Sequence, residues 1–206
     1  MSRLREASIS DLDECVHLHM LSMPSGLLTR LGRGVVEAYY RMVFSSPGYT
    51  CLVSCVCDPD RAVGVTVLEN PNPISRQGSV RLYASAAAAV LKRPHLLGSF
   101  VVESLSGLAS RDSNHATVEY IYVHPDYRGN SIGHEMLLEV TRRSQQAGFQ
   151  AVSTKTSNVH LQRHYERMFE ARMSQQWRLP IGGRSSSILV WPTDQRRVSG
   201  SNMRER

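Results

Sequence analysis

The feature that most constrains the fold is a strand, a glycine-containing loop, a helix and a second strand within residues 117–156. The strand TVEYIYV is followed by the loop HPDYRGN, the helical segment SIGHEMLLEVTRRSQQAG and the strand FQAVSTKT. A connection of this length between two strands is typical of a crossover, whose strands lie parallel in one sheet. The unit predicts an α/β protein with the loop at the carboxyl end of a strand, where open α/β sheets bind ligands.

Gly129 and Gly133 lie at the start of the helix in this unit. Glycine lets a ligand approach the backbone closely, and the N–H groups of a first helical turn can bind an anion such as a pyrophosphate. The sequence lacks both the dinucleotide motif GxGxxG and the P-loop sequence GKS or GKT. The glycines alone leave two interpretations: an anion-binding loop, or ordinary turn and helix-capping chemistry.

The remaining elements are predicted from hydrophobic periodicity. Amphipathic helices are predicted in ISDLDECVHLHM, capped by Ser10, in GVVEAYYRMVF and in NVHLQRHYERMF. One hairpin is predicted where the turn DPDR separates the strands YTCLVSCVC and AVGVTVLE. A second is predicted where PIGGR separates ARMSQQWRL from SSSILVW. Residues 70–113 combine a loop with helical segments split by Pro94, which predicts a helical insertion between the third and fourth strands.

Length and composition favour one soluble domain. A chain of 206 residues, 41% of them hydrophobic, can bury a substantial core. No apolar run is long enough to cross a membrane, and the charged N-terminus lacks the apolar core of a signal peptide, so we expect a cytoplasmic protein without a membrane partner. The cysteines show no metal-binding spacing and are predicted to be reduced, packed thiols: Cys15, Cys51, Cys55 and Cys57.

The formal net charge of +6 favours an anionic partner. The basic residues are dispersed, except in the tail 193–206, which lacks apolar periodicity and is predicted to be flexible. Dispersal favours a small anionic ligand over nucleic acid, and no aromatic-basic motif for nucleic-acid binding is present.

The run V-H-P-D-Y-R-G-N-S-I-G, followed by a helix and a strand, resembles the acyl-CoA-binding signature of the GNAT superfamily of N-acyltransferases, Q/R-x-x-G-x-G/A. The order of elements is similar to that fold as well, with LREA as its first strand. The resemblance implies a mixed, twisted sheet flanked by helices, in a single domain over residues 1–192 followed by the tail. It also implies that acetyl-CoA is the cosubstrate.

By this resemblance, backbone N–H groups of the loop hold the coenzyme A pyrophosphate, and a strand edge binds the pantetheine arm as an added strand would. The strand edge comprises Ile121, Tyr122 and Val123. The implied pyrophosphate residues are Arg128, Gly129, Asn130, Ser131, Ile132 and Gly133. Ser131 stands where the signature usually has its middle glycine, and we expect coenzyme binding to survive because serine is small.

A second signature of the family, an Asn and a Tyr seven residues later, matches Asn158 and Tyr165. The resemblance implies that Asn158 contacts pantetheine and that Tyr165 donates a proton to the leaving thiolate. The alternative for Tyr165 is a packed aromatic ring with a structural role. The segment YERMFEA lacks the glycine that commonly precedes the Phe in this family, which leaves the acceptor-side wall undefined.

Glu119 is the best candidate for the base that takes a proton from the incoming amine. A carboxylate on a strand covered on both faces tends towards a raised pKa, and some family members place a Glu at the corresponding point. A structural Glu paired with an Arg is the alternative. His160 and His164 lie four residues apart but lack the Glu of HExxH, so we interpret them as surface or pocket-rim residues and expect no metal.

Together these features predict an N-acetyltransferase that moves the acetyl group of acetyl-CoA to a primary amine of a small molecule or protein, by direct attack in a ternary complex. The alternative is a non-catalytic acyl-CoA-binding module for sensing or assembly. The insertion at residues 70–113 is predicted to form part of the acceptor pocket. The chain is expected to be a monomer or homodimer that does not bind nucleic acid.

Overall fold

The computed structural model describes residues 2–56, 61–70, 79–98, 101, 114–178 and 185–194. Within them the chain forms seven strands and six α-helices around one sheet. The strands are β1 (Ser2–Glu6), β2 (Tyr49–Val56), β3 (Arg61–Glu69), β4 (His115–Val123), β5 (Ala151–Thr156), β6 (Arg172–Arg178) and β7 (Ser185–Pro192). The helices are α1 (Leu12–Ser22), α2 (Leu27–Leu31), α3 (Arg33–Ser45), α4 (Ser79–Lys92), α5 (Ile132–Gln146) and α6 (Val159–Phe169).

The sheet has the order β1-β2-β3-β4-β5-β7-β6. The pair β4–β5 is parallel, as the crossover connection predicts, and the other neighbouring pairs are antiparallel. In the last hairpin the second strand, β7, lies beside β5 and the first strand, β6, forms the edge. The mixed sheet with flanking helices confirms the predicted fold class.

Helices cover both faces of the sheet because the strand side chains alternate between two cores. Cys51, Val53 and Cys55 of β2 pack with α1 and α3 on one face. Leu52, between them, packs on the opposite face in a cluster that includes residues of α5 and α6. This arrangement leaves β4 sandwiched between the two helical layers.

The start of α1 differs from the prediction. Ser10 is not its cap; instead Ser8 and Asp11 form a capping box around a single 3-10 turn, with Ser8 N–H donating to Asp11 Oδ2 at 2.7 Å. Arg5 adds a salt bridge to Asp11 at 2.7 Å. The cap moves because the chain enters the helix through this extra turn.

Part of the predicted insertion is described. Helix α4 and the 3-10 turn Pro94–Leu96 lie between β3 and β4, and α4 packs against α3 and α2. The short helix α2 was not predicted. Three thiols are free and buried, as expected: Cys15, Cys51 and Cys55. Several predicted features lie wholly or mainly outside the described residues: the turns DPDR and PIGGR, Cys57, the rest of the insertion and almost all of the tail.

No helix in the described ranges is long and apolar enough to cross a membrane.

Candidate functional site

Strands β4 and β5 separate after a short parallel stretch. Their pairing ends where Val118 lies opposite Thr154. The last two residues of β5 pair with β7, while β4 continues along β3 as far as Val123. A gap bordered by backbone therefore opens between the carboxyl ends of two parallel strands, at the position where ligands bind in open α/β sheets.

Glu119 is the first residue of β4 beyond the paired stretch, and it forms a β-bulge. Where β3 advances by one residue, from Val67 to Leu68, β4 advances by two, so Glu119 is the extra residue. Bulges next to active sites commonly re-aim a side chain. The half-buried Glu119 carboxylate accepts a hydrogen bond of 2.6 Å, through Oε2, from the hydroxyl of Tyr39 on α3.

The backbone of β4 beyond the bulge presents polar groups to the gap. His124 N–H donates to Val63 O on β3 at 2.7 Å, whereas Val123 O accepts from Arg128 Nε at 3.2 Å. Because the polar groups of successive residues alternate in direction, the N–H and C=O groups of Ile121 and Val123 point away from β3. An extended ligand in the gap would pair with the N–H and C=O groups of Ile121 and with the N–H of Val123, whose carbonyl already accepts from Arg128.

Tyr122 is oriented differently. By the same alternation its backbone faces β3, opposite Val65, and its side chain is buried in the core between the sheet and α1. Its hydroxyl lies 3.1 Å from His19 Nδ1. Burial lowers the pKa of His19 to about 4, so this histidine is neutral at physiological pH.

Most residues of the loop after β4 are exposed. A 3-10 turn, Pro125–Tyr127, leads to Arg128, whose N–H donates to Pro125 O at 3.2 Å. Gly129 has φ +85°, a conformation that favours glycine, and a Cβ there would meet no atom within 4 Å. The Arg128 N–H is therefore occupied, whereas the backbone from Gly129 onward is open to a ligand.

Ser131 occupies the N-cap position of α5 in a left-handed conformation, with φ 60° and ψ 4°. Its side chain makes no capping hydrogen bond. The position thus adopts the backbone conformation that favours glycine even though serine fills it. This agrees with the expectation that the signature usually has a glycine here.

The first turn of α5 ends the loop. The first hydrogen bond into the helix runs from Glu135 N–H to Ser131 O at 2.9 Å. The N–H groups of Ile132, Gly133 and His134 accordingly have no backbone acceptor among the described residues. Together with the positive end of the helix dipole, they form a site suited to an anion.

Asn158 caps α6. Its Oδ1 accepts hydrogen bonds from His160 N–H at 2.9 Å and Leu161 N–H at 3.3 Å. Asn158 is exposed, and its capping role fixes the side chain at the start of the helix. Its amide NH₂ has no acceptor in the described part of the chain and can donate to a ligand.

Tyr165 lies on the buried face of α6 and is 2% exposed. Its ring stacks on Trp191, with centroids 5.6 Å apart and planes 8° from parallel. Burial raises the pKa of Tyr165 to about 12, so the phenol keeps its proton at neutral pH. Its hydroxyl makes no hydrogen bond with any residue that the structure describes, which is compatible with a proton donor and with a packed ring.

The two candidate catalytic residues lie on opposite faces of the sheet. Tyr165 packs in the same core cluster as Val118, on the face of α5 and α6. Glu119, next in the chain, bonds to Tyr39 on the face of α1 and α3. Sequence reasoning missed Tyr39 because it falls on the apolar stripe of α3, where it is indistinguishable from an ordinary core residue.

Among the described residues, His160 and His164 are not brought together with further metal-ligating side chains. His160 is exposed, while the ring of His164 lies 6.2 Å from that of His134, which the sequence had not singled out. Burial, followed by the proximity of His134, lowers the pKa of His164. Within the described ranges no three His, Cys, Asp or Glu residues are grouped to hold a metal ion.

Comparison with known proteins gives a family match. Residues 29–170 match the model of the family described as "Acetyltransferase (GNAT) family". No curated protein sequence matches the chain.

Similar solved structures include acetyltransferases from several organisms. A ribosomal-protein-alanine N-acetyltransferase from Escherichia coli superimposes with a TM-score of 0.61 at 12% identity, over 94% of each chain. NAA60 of Arabidopsis thaliana, solved in complex with acetyl-CoA, has a TM-score of 0.61 at 14% identity, over 93% of this chain and 98% of its own. A polyamine N-acetyltransferase from Drosophila melanogaster has a TM-score of 0.57 at 15% identity, over 93% of this chain and 100% of its own. At these identities the likeness concerns the fold.

Proposed function

The chain belongs to the GNAT acetyltransferase family, and from this premise we propose that it transfers the acetyl group of acetyl-CoA to a primary amine, by direct attack in a ternary complex. The amine belongs to a small molecule or to a protein. The observation that carries the proposal is the gap after Val118, with Glu119 on one face of the sheet and Tyr165 on the other.

The proposed coenzyme site runs from the loop into the gap. The pyrophosphate binds the open N–H groups of the loop and of the first turn of α5, from Gly129 to Gly133. The side chain of Arg128 adds positive charge beside them. The pantetheine arm lies along β4 and pairs with the backbone of Ile121 and Val123, while Asn158 donates to it from the start of α6.

The proposed chemistry takes place where the gap begins. Glu119 accepts a proton from the protonated amine, and the nitrogen then attacks the thioester carbonyl carbon. As the carbon–sulfur bond breaks, Tyr165 donates its proton to the departing sulfur, which leaves as the thiol of coenzyme A. The nitrogen, positively charged after its attack, loses its second proton to give the neutral amide, and solvent returns a proton to the Tyr165 phenolate and takes the one held by Glu119. Because burial raises the pKa of Tyr165 to about 12, the phenol carries its proton at neutral pH, as a donor must.

The insertion is proposed to shape the acceptor side. Helix α4 packs on α2 and α3, and the Arg93 guanidinium donates to Arg30 O at the end of α2. Helix α3 carries Tyr39, which holds Glu119. Substitutions on the exposed face of α4 should therefore change amine preference while leaving acetyl-CoA affinity intact.

Tyr165→Phe tests the proposal. Thiol release from saturating acetyl-CoA is measured in single turnover with the best acceptor from a panel: a peptide with a free N-terminus, a lysine peptide, a polyamine and an arylalkylamine. Loss of a positioned acid lowers the rate by about 10² to 10⁴ with coenzyme affinity nearly unchanged, because the donation occurs in the transition state. A rate within about threefold of the parent would leave Tyr165 as a packed ring.

The panel also tests the activity itself. Acetyl-CoA binding by calorimetry, together with no thiol release above background for every amine, would favour a non-catalytic acyl-CoA-binding module. Release that depends on one class of amine identifies the acceptor chemistry.

A further inference from the structure

Aromatic side chains fill the space between α1, α3 and β4. We call His19, Tyr39, Tyr40, Tyr120 and Tyr122 the aromatic cluster. Tyr39 is 4% exposed and lies edge-on to Tyr40 and Tyr120, with ring centroids 5.3 and 5.4 Å away. His19 packs against all four tyrosines, at centroid distances from 5.0 to 6.4 Å. The ring of Tyr39 is therefore held from several sides.

Two neighbouring hydroxyls of this cluster have different surroundings. The Tyr39 hydroxyl donates to Glu119 Oε2 at 2.6 Å. The Tyr40 hydroxyl is buried and has no hydrogen-bond partner among the described residues. A buried hydroxyl that does bond, on a side chain that packing already fixes, is a pre-organised donor.

We propose that Tyr39 is a positioning residue, which holds the Glu119 carboxylate in its ionised form and in the orientation needed to take a proton from the acceptor amine. This inference rests on the proposed function, in which Glu119 is the base. The O–H···O⁻ bond is short, as hydrogen bonds to ionised acceptors are, and it favours the charged form of the acid it binds.

The groups around Tyr39 leave it able only to donate. Burial, and then the Glu119 charge, raise the pKa of Tyr39 well above its usual value, so the phenol keeps its proton. Tyr120 and Tyr122 are the other titratable groups of β4 that influence it. Tyr40 lies beside it on α3, and His19 on α1 is neutral because burial lowers its pKa to about 4. Among these groups Glu119 is the carboxyl group, and the others are phenols and an imidazole.

The Tyr39–Glu119 hydrogen bond compensates the carboxylate for its partial burial. A half-buried carboxylate loses hydration and tends to take up a proton at higher pH than in water. A donor that replaces the lost water keeps the carboxylate ionised as the pH falls. Glu119 then remains available as a base over a wider pH range, and the bulge fixes the direction in which its side chain points.

The test compares Tyr39→Phe with Tyr40→Phe, two substitutions that each remove one hydroxyl from adjacent residues of α3. The full chain is labelled with ¹³C at the glutamate carboxyl carbon, and the Glu119 signal is assigned from Glu119→Gln. Its titration midpoint should rise by about 0.5 to 1 pH unit in Tyr39→Phe, the size expected for one lost hydrogen bond, and stay within about 0.2 unit in Tyr40→Phe.

Catalysis supplies the second readout. The carboxylate is active when deprotonated, so the acid limb of kcat/KM for the best amine of the panel should move to higher pH by the same amount in Tyr39→Phe. An unmoved midpoint in Tyr39→Phe overturns the inference, even if that variant is less stable. If Glu119→Gln transfers acetyl at the parent rate, Glu119 is not the base and the inference fails with that assignment. If Glu119→Gln is slow but the acid limb of the Tyr39→Phe profile does not move, Glu119 remains the base and the positioning role of Tyr39 is overturned.

Discussion

Ser131 combines an unfavourable backbone with a side chain that makes no capping bond. A non-glycine residue in the left-handed region costs on the order of 1 kcal/mol or more, and its hydroxyl makes no bond to the helix it precedes. A left-handed residue next to a helix start is nevertheless one of the backbone arrangements in which successive N–H groups form an anion-binding concavity, as the proposed pyrophosphate site requires.

Ser131→Gly should therefore raise the free energy of unfolding by about 0.5 to 1 kcal/mol and keep or improve acetyl-CoA affinity. Ser131→Val should do the reverse, since a β-branched residue is poorly tolerated at positive φ. Urea denaturation and calorimetry measure both effects. A glycine variant less stable than the parent would show that the serine side chain contributes an interaction that outweighs the strain.

His19 couples stability to pH. Burial lowers its folded-state pKa to about 4, against about 6.5 in an unfolded chain. A lowered pKa gives stability that is present above pH 6.5 and lost as the pH falls towards 4, because the unfolded state takes up the proton first. Between pH 7 and pH 5, this residue alone should remove about 2 kcal/mol of unfolding free energy.

The measurement is urea unfolding of the parent and of His19→Gln at both pH values. Other acid-sensitive pairs, such as Arg5 with Asp11, are common to both proteins and cancel in the comparison. The parent should lose about 2 kcal/mol more than the variant over this range. Equal losses in the two proteins would mean that His19 takes up its proton as readily in the folded state as in the unfolded state.

At the scale of elements, two glycines near α5 have different space around them. A Cβ on Gly133, in the first turn of α5, would lie 3.7 Å from Val123 Cγ2, an ordinary contact. A Cβ on Gly64, in β3 beneath the helix, would lie 2.9 Å from Met136 Sδ and 3.3 Å from Ile132 Cγ2. Gly133 is therefore free of internal packing constraints, whereas Gly64 lets α5 approach the sheet.

Gly133→Val should fold with nearly the parent stability but lose acetyl-CoA affinity, because the branched side chain projects beside the first-turn N–H groups. Gly64→Ala should instead lower stability by about 1 to 3 kcal/mol, since the fully buried Met136 has to move. Thermal unfolding and calorimetry on both variants separate the effects. Unchanged coenzyme affinity in Gly133→Val would assign this glycine to helix packing.

The crossover unit could be predicted from the sequence because its signals are local. The apolar period changes from two in TVEYIYV to 3.6 in the helix that follows, and this change sets β4, α5 and β5 within a few residues. Helix α2 is only five residues long, too short for a hydrophobic period to be recognised, and it depends on packing against α3 and α4.

The details of the site depend on long-range pairing. The bulge at Glu119 is defined by the register with β3, and the Tyr39–Glu119 bond joins residues 80 positions apart. Tyr39 lies on the apolar stripe of α3, so the sequence pattern of the helix gives no sign of that hydrogen bond. Motif spacing and strand position therefore name candidate residues, whereas the bonds those residues make depend on the fold.

At the scale of the whole molecule, coenzyme binding should stabilise the chain because the proposed site spans the loop, α5, β4 and α6. A ligand that binds the folded state alone, at one hundred times its dissociation constant, adds about 2.7 kcal/mol. For a chain of this size that is roughly 5 to 11 °C in Tm. Thermal unfolding with and without millimolar acetyl-CoA gives the shift, and no shift in a folded sample would contradict coenzyme binding altogether.

The separation of β4 from β5 gives neighbouring backbone amides different exposure to solvent exchange. The amide of Tyr122 is oriented towards β3, so deuterium should replace its proton slowly, at a rate set by large-scale opening of the sheet. The amides of Ile121 and Val123 point into the gap, and in the free protein they should exchange much faster. Bound pantetheine should slow these two and leave Tyr122 unaffected, so this alternation along one strand would directly report occupancy of the gap.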